Sequence, residues 1–273
     1  MILATFATPV PHVGITMDGF SGTSTVKLWR EWDGGRAVVR GTDGLVVVGS
    51  DYVIDWEAPL NVATTYRIET VSGSAPTTES GSVTLTSDTG WLSDPLDPTT
   101  GVPVSSLSQD DTWLTSGALA SWEYPDLGGI VRVLGDRIPV SFGPGAGAPV
   151  NAPLHMITET AAATTALANL LDSDVPQFLI RALPAWNPLP SVGYWRVTRT
   201  RIPINAYIGG TLWKWELTGT QVRPQTLKIA VPLWTYDDVA TLRTGLTYAD
   251  VQTVATAGGV TYTDDKADPQ MGA

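Results

Sequence analysis

Cysteine is absent from the 273 residues, and histidine occurs only twice. Without cysteine there are no disulfides, no thiolate metal sites and no cysteine nucleophile. The compartment stays open, because a secreted chain can lack cysteine too. His12 and His155 sit close behind prolines and read as structural or exposed positions rather than general bases. Positive charge is also scarce: 16 Lys and Arg stand against 27 Asp and Glu, for a net charge of -11. Such a surface repels phosphate backbones and anionic lipid, which argues against nucleic-acid binding and membrane docking. No apolar run approaches the length that spans a bilayer. The opening stretch MILATFATPVPHVG has no basic leader and does not read as a signal peptide.

Catalytic signatures are missing as well. There is no G-x-S-x-G, no phosphate-binding P-loop and no H-E-x-x-H. The glycines of FGPGAGAP lack the spacing of a dinucleotide fingerprint and read as a loop. The acid pairs Asp110-Asp111, Asp237-Asp238 and Asp264-Asp265 are sequence neighbours. Neighbours on a strand point to opposite faces, so these do not form a two-carboxylate site, and none has EF-hand spacing. No catalytic, cofactor-binding or metal-binding residue is assigned, no cofactor is expected, and the chain is expected not to be an enzyme.

What is plentiful is tryptophan and proline, 11 and 20 residues, together with many threonines and valines. That mixture favours strands joined by rigid turns. In STVKLWREWDGGRAVVRG, Val26, Leu28 and Trp32 alternate with Lys27 and Glu31, and DGG breaks the run as a hairpin turn does. GLVVVGS reads as a buried strand. DYVIDWEAP places Tyr52, Ile54 and Trp56 on one side, and TTYRIETVSGS sets Tyr66, Ile68 and Thr70 against Arg67 and Glu69. Short strands at this spacing with no helix between them predict a fibronectin- or immunoglobulin-like β-sandwich over 12–97, preceded by an N-terminal arm, 1–11. The proline-rich stretch around 98–103 predicts a linker. Over 104–228 the pattern predicts a β-rich domain with one packed helix, 158–172, in which Ala163, Leu167, Leu170 and Leu171 form the apolar stripe. In TLWKWELTGTQVRP, Trp213, Trp215 and Leu217 share one strand face. The fold class expected is therefore all-β: two sandwich-like domains and an extended C-terminal arm.

That arm, 229–273, carries the phrase Thr-Tyr-x-Asp three times, starting at Thr235, Thr247 and Thr261. Each reads as a capped helix start, with the threonine as N-cap and Asp238, Asp250 or Asp264 at the third helical position. The first two are followed by Val239 and Leu242, then by Val251 and Val254. Two-turn helices are not stable alone in water and need another surface. Tyr236, Val239, Leu242, Tyr248, Val251, Val254 and Tyr262 are the candidate interface residues, either on the chain's own domains or on a neighbouring subunit. Trp122 in SWEYPDL and Trp186 in PAWNPLP are loop-like and are the candidates for exposed contacts, including stacking on sugars.

The stretch from Val26 to Ser74 resembles the first domain of minor tail proteins from long-tailed actinobacterial phages. The resemblance rests on Arg30 before an acidic-Gly turn, the step Val39-Arg40-Gly41, the strand end Asp55 to Pro59, and Tyr66-Arg67. GWLSDPLDPTTGVPV is similar to that family's exit from the domain. LLDSDVPQFLIRALP, VTRTRIPI and WKWELTGTQVRP are similar to its second domain. The resemblance implies a virion protein of the tail tip or baseplate, at the distal end of the tail. It implies assembly with copies of itself and with other tail proteins, and contact with a host-surface glycan as a further role. The alternative reading is a carbohydrate-binding module that recognises host wall glycan through Trp122 and Trp186.

Overall fold

The computed structural model describes residues 1–106, 110–115, 117–131, 140–143, 145–172, 177–186, 188–203 and 212–224. The expected docking arm, 229–273, with Tyr236, Val239, Leu242, Tyr248, Val251, Val254 and Tyr262, lies outside these described residues. The chain is all-β with antiparallel sheets and, among the described residues, one α-helix. It divides into two compact units, whose described parts are 1–87 with 96–99, and 88–95 with 100–224.

The first unit is a sandwich. One sheet holds β1 (Ile2–Phe6), β2 (His12–Met17) and β6 (Asp51–Asp55) in the order β1-β2-β6. The other holds β3 (Thr23–Trp32), β4 (Gly35–Val38), β7 (Ala63–Ser72) and β8 (Ser80–Thr84) in the order β4-β3-β7-β8, with β5 (Leu45–Val48) also paired to β3. Alternation decides which side chains face inward: Val13, Ile15 and Met17 from one sheet, and Val26, Leu28, Tyr66 and Ile68 from the other, are all buried. The expected DGG turn forms, with Gly34 at a φ of +104° between the paired residues Trp32 and Gly35.

Three expectations for this unit need correction. Residues 2–6 are not a free arm: they form β1, an edge strand fully paired to β2. On β6, register against β2 sets Val53 opposite Ile15 and Asp55 opposite Val13, so Val53 and Asp55 share the inward face while Tyr52 and Ile54 share the other. Tyr52 and Ile54 share a face as expected, but Trp56, expected beside them on the strand, lies beyond it, because the strand ends at Asp55. Finally, GWLS of the expected first domain forms β9 (Gly90–Ser93), which belongs to the second unit.

The second unit is built on a strongly curled sheet. Its strands are β9, β10 (Val102–Val104), β11 (Thr112–Leu114), β14 (Ala152–Pro153), β15 (Met156–Thr158), β16 (Phe178–Arg181), β17 (Val192–Pro203) and β18 (Trp213–Val222). The order is β10-β9-β16-β17-β18-β15-β11, with β14 also on β18. Its two ends then meet: the Ser105 amide donates to the Thr112 carbonyl at 2.9 Å, and the Leu114 amide donates to the Ser105 carbonyl at 2.8 Å. The sheet therefore closes almost into a barrel, which removes exposed edges. Of the stretch expected as a linker, 98–103, residues 100–103 belong to this unit, and Val102 of β10 points into its core together with Val104.

Helix α1 (Ala161–Asp172) packs on that core through Leu167, Leu170 and Leu171. It begins later than expected because 156–158 is strand β15, paired to β18. Thr160 is the N-cap: its hydroxyl accepts from the Ala163 amide at 3.2 Å. Thr164 joins the buried stripe in place of half-buried Ala163, and its hydroxyl bonds that of Thr158 at 2.8 Å. The Trp215 indole N–H donates to the same Thr158 hydroxyl at 3.0 Å. At the far end, Arg199 of β17 donates to the Leu171 carbonyl and pairs with Asp172, so a cation closes the helix C-terminus.

Candidate functional site

The motif residues scattered along the first unit meet in one place. Arg30 occupies the inward register of β3, between Leu28 and Trp32, and its cross-strand partner on β7 is Tyr66. Asp55 reaches them from the end of β6 in the opposite sheet. Its Oδ1 accepts from Arg30 Nη1 at 2.5 Å and from the Glu57 amide at 3.0 Å, and its Oδ2 accepts from the Tyr66 hydroxyl at 2.7 Å. Glu57 lies two residues on, in the turn just past the strand. Its Oε2 lies 3.7 Å from Arg30 Nη2, and its Oε1 accepts from Arg40 Nε at 2.7 Å and Nη2 at 2.6 Å.

The result is a chain Arg40–Glu57–Arg30–Asp55–Tyr66 with two positive and two negative charges. Arg30 and Asp55 are each 1 % exposed. Burying isolated charges costs several kcal/mol each, and alternating ion pairs with hydrogen bonds offset that cost. The network joins the two sheets of the sandwich at a fixed geometry, because a charge that slipped register would lose its partner inside the protein. Its residue types were visible in the sequence as a resemblance, but their convergence was not. The usable signal is the strand alternation that puts Arg30 on an inward face, together with Asp55 and Glu57 two residues apart around a tryptophan.

The remaining sequence candidates fall elsewhere. Trp186 sits in a loop, as expected, but it is not exposed. It is 6 % exposed, and its ring lies against Gly90 so closely that a β-carbon there would come within 2.5 Å of it. The loop folds back and uses the indole to fill the core of the second unit. Trp122 is half-buried, packs on the same core and meets the fully buried Trp195 edge-on at 5.6 Å between ring centres. Among the described residues, no hydrogen-bond partner is present for the indole N–H of Trp122, Trp186 or Trp195. The expectation of two exposed aromatic contacts is therefore corrected for Trp186, and Trp122 offers only part of its surface.

His12 is buried between the rings of Phe6 and Trp56, at 4.9 and 4.2 Å, and bonds the Val10 carbonyl through Nδ1. That is a packing role. Among the described residues, no group of three or more acidic or imidazole side chains is placed to hold a metal ion.

The open face of the β3–β7 sheet is polar and aromatic. Arg36 lies 3.8 Å over the Trp29 ring, and the Trp29 indole donates to Glu69 at 2.5 Å. Asp43, hydrogen-bonded to Lys27 at 2.8 Å, raises the lysine pKa, and on the second unit Lys214, bonded to Glu216, lowers that carboxyl's pKa. These are surface ion pairs of small energetic weight.

Compared with protein-family models, curated proteins and solved structures, the chain matches none of them.

Proposed function

We propose that the protein is a structural component of a phage tail tip or baseplate, acting through subunit assembly rather than turnover. The observation that carries this reading is the fate of the motif residues. Arg30, Arg40, Asp55, Glu57 and Tyr66, on which the resemblance to actinobacterial phage tail proteins rests, are the groups that fix the first sandwich. A resemblance carried by buried, mutually dependent residues reflects a shared scaffold more than a shared surface composition. The second unit adds a nearly closed, barrel-like sheet and a helix pinned at both ends, which suits a part that bears load. The glycan-binding alternative loses one of its two platforms with Trp186 buried.

The test is mass spectrometry of purified tailed particles grown on an actinobacterial host that supports the phage encoding this chain. Its peptides are expected at a fixed, low ratio to the major capsid protein, and to stay with the particles after high-salt washing. Finding the chain only in the lysate overturns the reading.

A further inference from the structure

We draw no further inference here: the strongest candidate, the surface ribbon of the second unit formed by β12 (Gly129–Val131) and β13 (Val140–Phe142), on which Ile130, Val131 and Phe142 are exposed, carries none, because nothing in the structure shows what covers it.

Discussion

Asp55→Ala is expected to destabilise the first unit by about 3–5 kcal/mol, the cost of stranding one partner of a buried ion pair. Three donors converge on this carboxylate: the Arg30 guanidinium, the Tyr66 hydroxyl and the Glu57 amide. With the carboxylate removed, Arg30 keeps Glu57 at 3.7 Å as its charged partner in the network, and Glu57 is already shared with Arg40. The desolvation cost of the guanidinium stays while its closest compensation is lost. Urea denaturation of the full chain, followed at equilibrium, checks the size of the effect. Arg30→Met combined with Asp55→Asn removes the stranded cation and keeps an acceptor for Tyr66. That double variant is expected to be less destabilised than the sum of the two single variants. A loss below 1 kcal/mol for Asp55→Ala would mean that water reaches the site and that the network does not hold the sheets.

Trp195→Ala is expected to cost the second unit a comparable about 3–5 kcal/mol, here through a cavity. Trp195 is fully buried on β17. Its ring fits against two glycines: a β-carbon at Gly219 would come within 3.0 Å of it, and one at Gly193 within 2.7 Å of its indole nitrogen. Those glycines leave the space that the ring fills, and Trp122 packs on its edge. A barrel wall held by strand pairing on both sides cannot close over the hole, so relaxation recovers little. Trp195→Phe fills most of the volume and is expected to lose about 1–2 kcal/mol. Calorimetry of the two variants checks the order; a Phe variant as weak as the Ala variant would contradict the packing argument.

How far the fold could be read in advance follows the physics. Alternation gave the strands whose two faces differ, such as 26–32 and 213–217, and helical spacing found Leu167, Leu170 and Leu171. What failed depended on partners distant in sequence. Residues 2–6 and 102–104 became strands because distant edges were open to pair with them. The buried charges were hidden for the same reason. Arg30, Arg40, Asp55 and Glu57 look like surface residues one at a time, and only the fold makes them neutralise each other. Trp186 misled because a tryptophan among prolines looks exposed, whereas the glycine that seats it, Gly90, is 96 positions earlier.

The assembly reading meets its most direct test in electron microscopy of intact particles with gold-labelled antibodies raised against the purified chain. The expected result is gold at the end of the tail away from the capsid. Gold along the capsid, or none on particles whose tails are intact and accessible, would contradict it.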